Sequence, residues 1–208
     1  MLLRHRAVQV LLLLLFAGIA QATPILDQQN APSGNFPRLT VANDRSQIQT
    51  FTVGLTGALT RIDVQVAKGS NTVENLVLSL WSTNSAGLPK DMLTSSSVPP
   101  SAVGSGGLQP PFVTFDLNAD ALPVSPGEFL AIVLDSSASN NPPSFSERYE
   151  WEIGGQYDRG TAYTRLGSVF FAASDDFHFK TFVSVPEPSA WVLLAVGLCG
   201  FYLRRLYH

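Results

Sequence analysis

Between residues 23 and 184 few groups can do proton or metal chemistry. His178 is the one histidine of that stretch, and Cys199, the chain's single cysteine, lies outside it. A Ser-His-Asp site would need His178 as its base. His178 stands between Phe177 and Phe179 in an alternating run, on the opposite face to both. That pattern predicts a solvent-facing strand residue. No G-x-S-x-G elbow is present to carry a serine nucleophile. One histidine without cysteine cannot build a His/Cys metal centre.

Carboxylates are what remains for catalysis. Glu147, Glu150, Glu152 and Asp158 lie close in sequence, and Asp175 and Asp176 are adjacent. Two carboxylates can hydrolyse a glycosidic bond. Glu150 and Glu152 bracket Trp151, so they share one strand face, read here as an ordinary solvated face. No catalytic residue is expected, and the chain is read as a non-enzyme. Asp175, Asp176 and the loop from Asp135 to Asn141 carry oxygens of the kind calcium takes. No D-x-D-x-D-G loop accompanies them, so no metal or cofactor is assigned. Flat aromatic rings can instead stack on sugars. Trp81, Trp151 and Tyr157 are the candidate sugar contacts, with Tyr149 and Tyr163 beside them. Core packing competes for every one of these rings. Tyr149, Trp151 and Ile153 share a strand face that is expected to point into the core.

The elements that must position these residues are short strands. Period-2 alternation appears at 48–53, 59–66, 76–81, 112–117, 149–153 and 177–182. Within the second run Leu59, Arg61, Asp63 and Gln65 fall on one face, and Thr60, Ile62, Val64 and Val66 on the other. Phe129 to Leu134 is a continuous apolar run, the mark of a central buried strand. Gly and Pro punctuate the runs at 85–89, 125–127 and 153–155. Ser95 to Pro111 and Asp135 to Ser146 read as long loops. No helical period competes in the body. The fold expected is all-β, an antiparallel β-sandwich or jelly roll over 23–184.

Both ends of the chain read as targeting segments. Arg4, His5 and Arg6 precede an apolar core from Val10 to Phe16, and Ala20-Gln21-Ala22 is a small-x-small cleavage site. Residues 1–22 are therefore expected to be a signal peptide, with an uncleaved N-terminal anchor as the alternative. At the other end come Pro186-Glu187-Pro188, Ser189 as a candidate N-cap, an apolar run from Ala190 to Leu203, and Arg204-Arg205. Proline cannot continue a helix backwards and holds the preceding residue extended. That keeps the acidic motif open to a processing enzyme. A helix over those 14 residues is about 21 Å long, short of the roughly 30 Å hydrocarbon core. Arg204 and Arg205 are then the membrane stop, snorkelling to the cytoplasmic interface. A buried helix of a soluble domain is the competing reading. It should show a polar stripe, and Trp191 to Leu198 shows none.

This order of acidic prolyl motif, apolar helix and basic pair resembles, over Val185 to Arg205 of the tail segment 185–208, the PEP-CTERM sorting signal of bacterial envelope proteins. The resemblance implies Pro186, Glu187 and Pro188 as the sorting motif. It implies exosortase, a membrane-embedded cysteine protease-transpeptidase, as the partner that recognises the tail. It also implies passage through the inner membrane to the cell surface or an extracellular matrix, with exopolysaccharide as the surrounding partner. Only two arginines follow the helix here, ahead of Leu206-Tyr207-His208. The body, over roughly 47–183, is similar to choice-of-anchor domains, closest to type R. The similarity runs through Gln49 to Val53, Leu59 to Ile62, Leu78 to Ser82 with Gly87-Leu88-Pro89, Leu122 to Phe129 and Asp176 to Phe182. It brings no catalytic residue.

Charge narrows the partners further. The chain carries 13 Lys and Arg against 16 Asp and Glu, a net −3. Four of the arginines lie in the end segments, and no basic patch remains between them. Nucleic-acid binding is disfavoured, since phosphate contacts need clustered cations. The expectation is an exported, exosortase-sorted envelope or matrix protein with a non-catalytic sandwich domain. A carbohydrate-binding module is the alternative. Ice binding ranks lower, because no Thr-x-Thr ladder extends beyond Thr50 and Thr52.

Overall fold

The computed structural model describes residues 23–42, 44–107, 109–137 and 145–185. The predicted signal peptide and tail helix lie outside the described residues. Among those described, no helix is long and apolar enough to cross a membrane.

Among the described residues thirteen strands build the folded unit, which runs from Pro24 to Val185. In chain order they are β1 (Pro24–Asn30), β2 (Arg38–Val41), β3 (Arg45–Thr52), β4 (Gly57–Lys68), β5 (Leu76–Thr83), β6 (Pro89–Val98) and β7 (Phe112–Asp116). There follow β8 (Leu122–Val124), β9 (Phe129–Ser136), β10 (Tyr149–Glu152), β11 (Ala162–Leu166), β12 (Val169–Ala172) and β13 (Phe179–Ser184). They form two antiparallel sheets. A seven-stranded sheet runs β1-β13-β4-β10-β2, with β7 and β8 also paired to β4; a six-stranded sheet runs β12-β11-β3-β9-β5-β6. The main core lies between them: Ile62, Val64, Trp151 and Phe179 from one sheet meet Phe51, Leu78, Leu80 and Ile132 from the other. The body is thus all-β and sandwich-like, as the alternation predicts.

Three expectations need correction. Leu59 does not share the face of Arg61; it is buried in the core beside Ile62. The pairing of β13 with β4 skips Thr60 between Phe182 and Val183, and such a bulge turns the chain by one residue. Second, Ser95–Val98 belongs to β6 and pairs with β5, so the expected loop begins only after Val98. On an edge strand alternate serines can face water, and their composition reads as loop. Third, β1, β2, β6, β8, β11 and β12 fall outside the runs read as strands; their polar or very short segments carry little periodic signal.

The first and last strands pair with each other, Pro24 opposite Ser184. Gly160 shows how tightly the sheet receives its loops. A Cβ added there would lie 1.9 Å from the Thr50 carbonyl oxygen. The neighbouring Thr161 is bonded to Thr50 in both directions, its N–H donating to Oγ1 (2.7 Å) and its carbonyl accepting from the Thr50 N–H (3.0 Å). Gly160→Ala should therefore destabilise by about 1–3 kcal/mol, the usual range for overpacking. An unchanged urea midpoint would show that the loop moves away freely.

Candidate functional site

The sheets bring together one pair of chemically active side chains that lie 26 residues apart in sequence. β10 carries Glu152, and the residue leading into β13 is His178. The His178 N–H donates to the Glu152 carbonyl (3.0 Å), and Ile153 bridges to Phe177. Trp151 and Phe177 point into the core, stacked at 4.4 Å with 20° between ring planes. Their neighbours Glu152 and His178 must then point to the other side of the sheet. There Glu152 Oε2 and His178 Nδ1 are 3.8 Å apart.

This side of the sheet is not open to water. Side-chain exposure is 1% for His178 and 0% for Glu152. The alternation places both on solvated faces, and the structure overturns both expectations. The cover comes from the loops preceding β2 and β7. The Phe36 ring meets the His178 ring edge-on at 4.9 Å. Gly154 makes room for it, since a Cβ there would sit 2.1 Å from the Phe36 ring. The second loop reaches in through Pro110, whose carbonyl accepts from Gln65 Nε2 (3.0 Å), and through Gly107, whose carbonyl accepts from Arg38 Nη2. Gln109 Nε2 then donates to the Gly34 carbonyl and ties the two loops together.

The network assigns the histidine tautomer. With Gln65 Nε2 committed to Pro110, Gln65 Oε1 faces His178 Nδ1 at 3.0 Å, so Nδ1 carries the proton. His178 Nε2, both Glu152 oxygens and Arg38 Nε have no partner at bonding geometry among the described residues. Burial pushes the His178 imidazole below its ordinary range, against a smaller opposing pull from the Gly154 backbone. Burial likewise raises the Glu152 carboxyl, opposed by the Phe36 backbone and by Arg38. Both shifts favour the uncharged forms. In a triad the nucleophile faces Nε2, and His178 Nε2 has no hydroxyl at bonding distance among the described residues.

The other carboxylates are dispersed. Asp176 is spent inside the fold: Oδ1 accepts from Gln49 Nε2 and Oδ2 from the Tyr157 N–H, each at 2.9 Å. Asp135 accepts from Ser46 Oγ (2.6 Å) and pairs with Arg165 (3.4 Å). Burial raises the Asp135 carboxyl, while Ser46 and Arg165 pull it down. Among the described residues no three His, Cys, Asp or Glu side chains form a metal-sized group.

The candidate sugar contacts separate. Trp151 is fully buried, its Nε1–H donating to the His178 carbonyl (2.9 Å). Tyr149 is buried too, its hydroxyl donating to the Glu74 carbonyl (2.6 Å), and burial lifts its pKa to about 12. Tyr157 is buried, with its hydroxyl on Gln28 Oε1 (2.9 Å) and its ring edge on Phe179. Trp151 and Tyr157 therefore offer no ring to a ligand. Trp81 and Tyr163 remain partly exposed, on the outer face of the six-stranded sheet. Neither Glu152 with His178 nor Trp81 with Tyr163 is legible as a pair in the sequence, because only strand order unites them.

The strands and their pairing define an antiparallel β-sandwich module. Comparison with known proteins bears on its C-terminal end, where residues 184–205 match the PEP-CTERM protein-sorting motif. The chain thus carries the mark of an exosortase-sorted protein, exported through the inner membrane to the cell surface. No curated protein matches it.

Proposed function

We propose that the protein is a non-catalytic surface or matrix component. It leaves the cytoplasm by a cleaved signal peptide (1–22), is held transiently in the inner membrane by the tail helix, and is released or re-attached by exosortase. It then acts at the cell surface or in an extracellular, exopolysaccharide-containing matrix. The observation that carries this reading is the position of the sorting motif. The match begins at Ser184, the last residue of β13. Motif and folded unit adjoin without a spacer. At the other end, β1 begins at Pro24, just beyond the expected cut after Ala22, and pairs with the end of β13. Removal of either end segment would leave the ladder whole. The non-catalytic part of the reading is supported by the closure over His178 and Glu152, the histidine–carboxylate pair of the described residues.

Replacing Pro186, Glu187 and Pro188 together with alanine should leave a full-length, membrane-bound precursor in a host that has the sorting enzyme. Immunoblots of membrane and surface fractions read the outcome. Equal processing of mutant and wild type would reject the sorting assignment.

A further inference from the structure

The outer face of a sandwich sheet is usually polar, because water covers it. Here the middle of the six-stranded sheet departs from that rule. Ile48, Ala131 and Val133 point away from the main core and are still completely buried. Trp81, Tyr163 and Phe170 pack against them. Trp81 comes from β5 and Tyr163 from β11, with β9 and β3 between them. Two aromatic side chains from opposite sides of the sheet therefore lie against one apolar floor, each keeping part of its surface in water.

Both rings are positioned rather than loose. The pairing of β5 with β6 breaks register on either side of Trp81, and a bulge re-aims the side chain it carries. The Trp81 Nε1–H donates to Ser79 Oγ at 2.8 Å and holds the indole in place. Tyr163 extends toward the β5–β6 turn, its hydroxyl 3.9 Å from where a Gly87 Cβ would stand. That hydroxyl has no hydrogen-bond partner among the described residues. Along β11 the same face presents Arg165, whose Nη2 donates to Ser46 Oγ (2.6 Å) beside Asp135. Ser95 and Ser97 of β6 are exposed near the opposite border.

Held aromatic faces ringed by hydroxyls, and by a guanidinium–carboxylate pair able to bond vicinal hydroxyls, suit a sugar chain. The local charge selects further. Arg165 is neutralised by Asp135, so the face offers no surplus cation to an acidic glycan or a phosphate. We propose that the outer face of the six-stranded sheet binds a neutral glycan, with Trp81 and Tyr163 as its stacking platform and the Tyr163 hydroxyl as a polar contact. This rests on the reading of the domain as delivered outside the cell, and names what it would meet there.

The test uses full-length protein in a detergent free of sugar headgroups, on an array of neutral and acidic glycans. Wild type should retain neutral oligosaccharides. Trp81→Ala should weaken that binding at least about tenfold, and Tyr163→Phe about 3- to 10-fold, the range for one lost hydrogen bond. Tyr163→Phe leaves the ring and its packing intact, so it stays informative even where Trp81→Ala fails to fold. Retention of no neutral glycan by wild type, retention of acidic glycans only, or Tyr163→Phe binding as tightly as wild type would overturn the proposal. The sorting assignment is read separately, from processing of the tail, and survives any of these results.

Discussion

Trp151→Ala is expected to lower stability by about 3–5 kcal/mol, the range for emptying a large buried aromatic site. Domains are stable by only about 5–15 kcal/mol, so the variant should sit close to its unfolding threshold at ambient temperature. Three losses combine. The ring is fully buried at the centre of the core, so its removal leaves a cavity. It stacks on Phe177, which loses its partner face. Its Nε1–H is bonded to the His178 carbonyl, which loses a partner inside the protein. The midpoint of urea unfolding should fall steeply, whereas Trp81→Ala should move it much less. A Trp151→Ala protein with a wild-type midpoint would mean that the core closes around the gap, and would remove the reason for holding Trp151 inside.

Glu152→Gln is expected to stabilise the domain at neutral and alkaline pH relative to wild type, and to have little effect near pH 4. The sign comes from proton binding. Burial raises the Glu152 carboxyl above its ordinary value of 4.5, so the folded state holds that proton more tightly than the unfolded chain. The contribution is complete below 4.5 and is lost as pH rises through the folded value. Glutamine keeps the shape and cannot ionise, so its advantage should grow by about 1.4 kcal/mol for each unit of that rise. His178 acts in the opposite sense. Its imidazole is lowered from 6.5, so its contribution is present above 6.5 and is lost as pH falls toward the folded value. Glu152→Gln should leave that acid limb in place. Urea midpoints at pH 4, 6 and 8 decide the matter. Parallel lines for the two proteins would show that Glu152 ionises without penalty, and the closed cover over it would then be wrong.

These two residues also show how far alternation can be read. Placing Trp151 inside needed only the period of two: Tyr149, Trp151 and Ile153 on one side, Glu150 and Glu152 on the other. The same rule located Glu152 and His178 on the outer side of their strands, and that side was right. Their solvation was not. A strand's outer face is wet only when nothing lies on it, and here Phe36 and the loop containing Pro110 do. Those loops come from residues far from 152 and 178 in sequence. The bulge at Thr60 is a similar case: one unpaired residue reverses the face of Leu59, and nothing in a clean alternating run announces it.

The all-β class, the inward face of Trp151 and the sorting motif at the chain's end were all legible before folding. Each depends on residues adjacent in the chain: a period of two, a Pro-Glu-Pro triplet, an apolar run closed by arginines. Which carboxylate meets the histidine, and that both are sealed from water, came from the packed sheets alone. So did the shared floor of Trp81 and Tyr163, from which Trp151 and Tyr157 are absent. Those outcomes depend on strand order and on which loop lies over which sheet face. Strand order is set by pairing between segments as far apart as β1 and β13, where Pro24 lies opposite Ser184. Local pattern carries no information about such pairing, because any strand with one apolar face satisfies the same alternation in any position of the sheet.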